Sequence, residues 1–218
     1  VLNLKNGTFT NNQARLVHVN GGGTHTINIE NATFTNNSVK GCGAIFLMDQ
    51  SNAGNASAIN VYGGTFTDNA CLLSSTSYGS GSIARLKSPG ALHFYGGTFA
   101  NNTTAAGKNY EGIYLRDVSQ KLGSNVYVHK LSADLNVYLT PYSAKVFMSR
   151  IVVDSALTHT ISVYIADNRV PAKGMPLVVG TDEYKLTEAD LAMVKSANPK
   201  ATFYLDTENN AICIAKAE

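Results

Sequence analysis

The stretch GGTFTDN, residues 63–69, returns as NGTFTNN at 6–12, NATFTNN at 31–37 and GGTFANN at 96–102. Each copy is preceded by the same alternation: LNLK from Leu2, INIE from Ile27, INVY from Ile59 and LHFY from Leu92. Leu2, Ile27, Ile59 and Leu92 form one apolar column, and Leu4, Ile29, Val61 and Phe94 form a second. Asn3, Asn28, Asn60 and His93 hold the polar place between them. Alternation with a period of two marks a strand with one buried face, and one such strand cannot bury that face alone.

Stacking the copies buries it. Each strand then pairs with its counterpart one repeat on, at a spacing of roughly 4.8 Å, which predicts an all-β, single-stranded parallel β-helix or solenoid. The TFxxN segment is expected to be a corner, with Phe9, Phe34, Phe66 and Phe99 stacked inward and Asn12, Asn37, Asn69 and Asn102 forming an amide ladder. Extending the first column to Val126 and Ile161 gives about six coils. A second strand type lies between the corners: RLVHV from Arg15, GAIFLM from Gly43, SIARLK from Ser82 and GIYLRD from Gly112. We expect the helix over residues 1–173. Residues 174–218 are expected to be an irregular C-terminal cap or a last irregular coil. Within them, TEADLAMVKSA reads as a short helix opened by Thr187 with Asp190 in a capping-box position and closed before Pro199. TFYLD and AICIA around TENN read as a hairpin.

Composition agrees with strands punctuated by tight turns. Of the 218 residues, 44% are hydrophobic, enough for a continuous core, and 15% are charged. The net charge of +2 comes from scattered Lys and Arg, with no basic run of the kind that neutralises a row of phosphates, so nucleic acid is not an expected partner. No apolar run reaches the roughly 20 residues of a bilayer span, and the start carries no signal-like segment. The opening VLNL falls inside a repeat, so we expect a mature or trimmed piece of a longer protein. Cys42, Cys71 and Cys213 have no metal-binding spacing, which leaves a bridge between Cys42 and Cys71 or inert buried thiols.

FTNN, FTNN, FTDN and FANN fit an FxxN motif, and GCGAI at residues 41–45 resembles its partner motif GGAI, with Cys42 in place of a Gly. Together they resemble the repeats of polymorphic outer-membrane and adhesin-like proteins, right-handed parallel β-helices of the pectate-lyase-like superfamily. The resemblance covers roughly residues 1–118. It implies a right-handed coil and a bacterial protein that is secreted or held at the cell surface, often as an adhesin or stalk.

Many β-helix proteins of this appearance cleave polysaccharides, which needs clustered carboxylates or a base beside them. Asp49 and Asp117 lie on comparable strands with Lys87 at the analogous place between them. Asp49, Lys87 and Asp117 are therefore the catalytic candidates if the chain is an enzyme, and a solvated ladder of alternating charge is the plain alternative. Asp68 stands alone in an otherwise Asn column. The column after the second apolar position runs Lys5, Glu30, Tyr62, Tyr95, then His129 and Tyr164. Tyr62 and Tyr95 are expected to stack on the outside, with His93 and Asn60 at their edge, as a ligand-binding surface for a glycan; structural stacking is the plain alternative. The five histidines lack HxH or HExxH spacing, and HVNGGGTH lacks the context of a dinucleotide site, so neither metal nor cofactor is expected. The leading expectation is a non-enzymatic adhesin or stalk that meets a host or microbial surface glycan or protein. A polysaccharide lyase or glycoside hydrolase is one alternative, and a fibre subunit associating end to end is another.

Overall fold

A computed structural model describes residues 1–40, 45–50, 56–72, 81–87, 89–104, 112–117, 119, 122–143, 145, 147–166, 172–197 and 201–217. The protein is all-β, 52% strand and 3% helix, and its sheets are mostly parallel. Four sheets are each built by taking one strand from successive repeats. Sheet I runs Leu2–Lys5, Thr26–Glu30, Ala58–Val61, Ala91–Phe94, Asn125–Val128, Arg150–Val153 and Pro176–Gly180, all parallel. Sheet II holds the TF strands Thr8–Thr10, Ala32–Thr35, Gly64–Thr67 and Thr98–Ala100. Sheet III holds the short strands Ser38–Val39, Ala70–Cys71 and Thr103–Thr104. Sheet IV runs Val17–Asn20, Phe46–Asp49, Ala84–Lys87, Ile113–Arg116, Leu135–Thr140, Ile161–Ile165 and Val194–Ser196.

Register follows the columns read from the repeats. Leu2 is opposite Ile27, Ile27 opposite Ile59, Ile59 opposite Leu92 and Leu92 opposite Val126. The next member is Ile151, not Ile161, and Val178 follows it. Ile161 belongs to sheet IV, between Leu135 and Val194. RIVV and ISVY alternate equally well, so alternation alone does not decide which of them joins sheet I. Beyond the last TF corner a repeat closes in 25 residues, from Val126 to Ile151, as the first does from Leu2 to Ile27. Sheet I thus carries seven parallel strands where six coils are expected, and Pro176–Gly180 and Val194–Ser196 extend sheets I and IV into the region expected to cap them. The antiparallel hairpin of Ala201–Asp206 and Ala211–Ala217 then closes sheet I.

The inward columns meet in one core. Ile29, Phe34, Met48, Ile59, Phe66, Leu86, Ile113, Val126, Ile151 and Ile161 are all completely buried within it. Burying each such side chain contributes about 1.5–3 kcal/mol against the entropy of ordering the chain. Sheets II and IV touch across it, where the Phe34 ring meets Phe46 edge-on at 5.7 Å. The TF rings stack as a column, with centroids 4.9, 4.9 and 5.1 Å apart from Phe9 through Phe34 and Phe66 to Phe99.

The corner after each ring divides its work between two residues. Asn11, Asn36, Asp68 and Asn101 adopt left-handed backbone, with φ of 58°, 53°, 55° and 54°, a conformation that Asn and Asp tolerate better than other non-glycine residues. That explains how Asp68 substitutes for Asn. The following residue makes the ladder. The Asn37 side-chain amide donates to Asn69 Oδ1 at 2.9 Å and to the Phe9 carbonyl at 2.9 Å, and the pattern repeats from Asn69 to Asn102 Oδ1 and the Phe34 carbonyl. The short helix spans Glu188–Met193, with Thr187 and Asp190 forming the capping box. It stops earlier than the sequence predicts, because Val194 leaves it to pair with Ile161. Asp190 is buried. Burial alone would raise its carboxyl, but bonds from the Leu157 N–H, the Thr187 hydroxyl and N–H and the Tyr184 hydroxyl outweigh it and hold the group below its ordinary value. The same contact, after burial, pushes Tyr184 up to about 12.

Candidate functional site

The outward face of sheet I gathers the aromatic and imidazole side chains. Because the strands are parallel and in register, the residue between two apolar positions recurs as a straight outer column. Asn3, Asn28 and Asn60 form a second amide ladder, with bonds of 2.8 and 2.9 Å, and His93 and Tyr127 continue it. Two residues along each strand lies the column Lys5, Glu30, Tyr62, Tyr95, His129 and Asp154. The Lys5 ammonium pairs with Glu30 at 3.0 Å, an exposed contact worth little by itself. Tyr62 and Tyr95 are 48% and 38% exposed and stack at 4.9 Å. The column does not include Tyr164, which stacks with Tyr138 on sheet IV at 5.2 Å. That departure has the same origin as the placement of Ile161.

The two columns join into one platform. The His129 ring stacks on Tyr95 at 4.1 Å, and His93 stacks on Tyr127 at 4.4 Å. His93 Nδ1 and His129 Nε2 face each other at 3.1 Å, and His129 Nδ1 meets Asp154 Oδ2 at 2.5 Å. The imidazole centroids are 5.4 Å apart and the rings nearly coplanar in orientation, so the two nitrogens lie on the line between the rings. This is the geometry of one shared N–H···N bond. With His129 Nδ1–H donating to Asp154, Nε2 accepts from His93 Nδ1–H, which leaves His93 Nε2 as a base. Burial first, and the neighbouring His129 second, lower the His93 pKa below its ordinary value. Burial, with the nearby Tyr62 and Asp154, raises that of Tyr95.

Asn60, Tyr62, His93 and Tyr95, the four residues expected to form a ligand surface, therefore share one face. Asp154 and Tyr127 escape the sequence reading. The signal for Asp154 was its place immediately after the apolar alternation RIVV, which the misplaced last row concealed.

The acid and lysine candidates lie on sheet IV. Asp49 is opposite Lys87 in adjacent strands, and their side chains pair at 3.0 Å. Asp117 stands one residue beyond that row, because Leu86 is opposite Leu115. It is buried, and its carboxylate accepts from the N–H groups of Tyr142, Met148 and Ser149 and from the Ser149 hydroxyl at 2.7–3.0 Å. It organises the turn after Thr140. Asp49, Lys87 and Asp117 do not form a continuous stack. Cys71 and Cys213 are buried, and Cys42 lies outside the described residues, as does most of the GCGAI segment.

No family model, curated protein or solved structure matches the chain. The platform must accordingly be interpreted from its own chemistry. Among the described residues, no three His, Cys, Asp or Glu side chains converge to hold a metal ion, and no helix is long and apolar enough to cross a membrane. The stacked tyrosines occupy each other's faces, so the row offers ring edges and hydroxyls rather than open rings. Tyr62 is the exception. Its neighbour in the column, Glu30, is drawn toward Lys5, which leaves the outer face of the Tyr62 ring at the end of the aromatic row.

Proposed function

We propose that the chain is a right-handed parallel β-helix segment of an extracellular bacterial surface protein, a non-enzymatic adhesin or stalk that contacts glycans through the outward face of sheet I. Seven parallel strands in register, each drawn from the next repeat, support the helical path. The observation that carries the binding reading is the exposed Tyr62 and Tyr95 stack, set beside Asn60, His93, Tyr127 and His129 on a single flat face. A pyranose ring fits the open face of Tyr62, its axial hydrogens toward the ring and its hydroxyls toward Asn60 and Glu30. Phenol hydroxyls spaced by the strand separation extend the contact along an oligosaccharide.

The test is a glycan array with the purified chain, compared with Tyr62→Ala and Tyr95→Ala. Saturable binding that weakens at least about tenfold in Tyr62→Ala, equivalent to 1.4 kcal/mol, supports the reading. Binding unchanged in both variants places the ligand elsewhere, and no binding leaves a stalk. The same polysaccharides assayed for new reducing or unsaturated ends test the enzymatic alternative, for which His93, hydrogen-bonded to His129, is a candidate base.

A further inference from the structure

The outer face of sheet IV holds a buried arginine that lacks a counter-charge among the described residues. Ala84 and Leu86 point into the core, so alternation turns Arg85 to the other side of the sheet, in one column with Leu47, Tyr114 and Tyr138. Arg85 is only 7% exposed, and its Nε–H has no hydrogen-bond acceptor. Its guanidinium carbon lies 5.6 Å from the centre of the Tyr114 ring. A cation–π contact returns only a fraction of the cost of removing a guanidinium from water, and a buried ion with no opposite charge is the most expensive case. Arg150 shows the ordinary solution. Its guanidinium lies over the Phe147 ring at 4.9 Å and also donates to the Ser149 carbonyl at 2.8 Å.

Two more cations lie beside Arg85. Lys87 is two residues along the same strand and therefore on the same side of the sheet. Continuing the register of Leu86 opposite Leu115 by one residue sets Lys87 beside Arg116. The acids do not match them. Among the described residues the ion pairs are Lys5 with Glu30, Lys87 with Asp49 and His129 with Asp154, so neither Arg85 nor Arg116 has a carboxylate. Asp117, next in the chain to Arg116, is occupied by the N–H groups of Tyr142, Met148 and Ser149. Three cations against the single carboxylate of Asp49 leave two positive charges uncompensated, within the span of three adjacent strands, about 10 Å.

We propose that Arg85, Lys87 and Arg116 form a site for a doubly charged tetrahedral oxyanion of the sulfate or phosphate class. Two uncompensated charges match a dianion. The planar fork of a guanidinium engages two oxygens of one such group, and the Arg85 Nε–H is a donor with no other use. Burial makes that bond stronger than it would be in water. Lys87 and Arg116 are both partly exposed and draw the anion toward the buried arginine. The same chemistry is carried by the free anion and by a phosphomonoester.

The experiment follows the thermal midpoint of the purified chain in sodium sulfate, sodium phosphate and sodium acetate, each against sodium chloride at matched ionic strength. Sulfate also stabilises folds without binding, but that effect does not saturate at low concentration. A saturable rise is expected with sulfate and phosphate, with acetate at least about tenfold weaker. The rise is lost in Arg85→Gln, and the dissociation constant increases at least about tenfold in Arg116→Gln. Circular dichroism checks both folds, and the partly exposed Arg116 keeps the test decisive if Arg85→Gln fails to fold. Glucose 6-phosphate, compared with glucose, separates the sources: tighter binding than inorganic phosphate supports an ester as the occupant, and weaker binding supports the free anion. A midpoint that tracks chloride, acetate equal to sulfate, a saturable rise that survives Arg85→Gln, or one unchanged in Arg116→Gln would overturn the proposal. The readout involves neither Tyr62 nor Tyr95 and is independent of glycan binding on sheet I.

Discussion

Replacing Asn69 by Ala removes the middle rung of the buried amide ladder. Asn69 Oδ1 accepts from the backbone N–H and the side-chain amide of Asn37 at 3.1 and 2.9 Å, and its own amide donates to Asn102 Oδ1 and the Phe34 carbonyl, each at 2.9 Å. Four hydrogen bonds are lost together. The residue has no exposed surface, so water cannot take over these roles without entering the core. A buried hydrogen bond contributes about 1 kcal/mol net, and a donor left without a partner costs about 1–3 kcal/mol. The Asn37 amide keeps its bond to the Phe9 carbonyl, whereas the Asn37 backbone N–H loses the acceptor it has. The expected destabilisation is therefore about 3–5 kcal/mol. Asn36→Ala is the internal control: it lies next to the ladder, is exposed, and loses its left-handed preference and one exposed bond to Asn11 at 2.6 Å, a cost of about 1–2 kcal/mol. Urea denaturation followed by circular dichroism measures both, and equal m-values allow the midpoints to be compared directly. If Asn69→Ala costs no more than Asn36→Ala, the ladder does not hold the corners together and the account of the corner is wrong.

Three further outcomes follow from the geometry. His93 is held below its ordinary value of 6.5 by burial and by His129, so its neutral form is favoured in the fold. Its contribution is present above pH 6.5 and is lost as pH falls through the lowered value. The urea midpoint should decline over that window, and His93→Gln should flatten the decline; an unchanged profile would count against the shared bond. Gly64→Ala places a Cβ 2.4 Å from the Ala32 carbonyl at a φ of +121°, so a loss of about 2–4 kcal/mol is expected by denaturation, whereas a near-neutral result would mean that the corner relaxes easily. Asp117→Ala leaves the Tyr142, Met148 and Ser149 N–H groups without their acceptor. It should cost about 3–5 kcal/mol in the same assay and speed amide exchange at those three residues, and unaltered exchange would refute its role in the turn.

The first four repeats were legible because period-two alternation and the TF corner reinforce each other, and every residue from Leu2 to Phe94 in the two apolar columns takes the predicted place. The heptads nevertheless turn in two ways. Asn6 and Asn31 are left-handed in the first two copies, whereas Gly64 and Gly97 carry the positive φ in the last two, a difference invisible while the copies are read as equivalent. Beyond Thr104 the corner residues disappear, and alternation alone cannot say which sheet a strand joins. Ile151 and Ile161 both satisfy it, and the wrong choice displaced Tyr164 and hid Asp154. Asp117 was misread for a related reason. A carboxylate after a strand looks solvent-facing in sequence, and only the return of Tyr142, Met148 and Ser149 shows that it is enclosed by backbone donors. Tyr62, Tyr95, His93 and Asn60 could be grouped because they belong to rows whose register was secure. The link from His129 to Asp154 needed the next row.

The rows stay aligned although the chain spends very different lengths between them: 25 residues separate Leu2 from Ile27, 32 separate Ile27 from Ile59, and 25 again separate Val126 from Ile151. Contour length is thus uncoupled from rise along the stack. Seven residues can be spliced into one turn while the rungs above and below keep their partners, because each rung recognises only its neighbours. The amide ladder and the phenylalanine column therefore keep one spacing beside coils of unequal length.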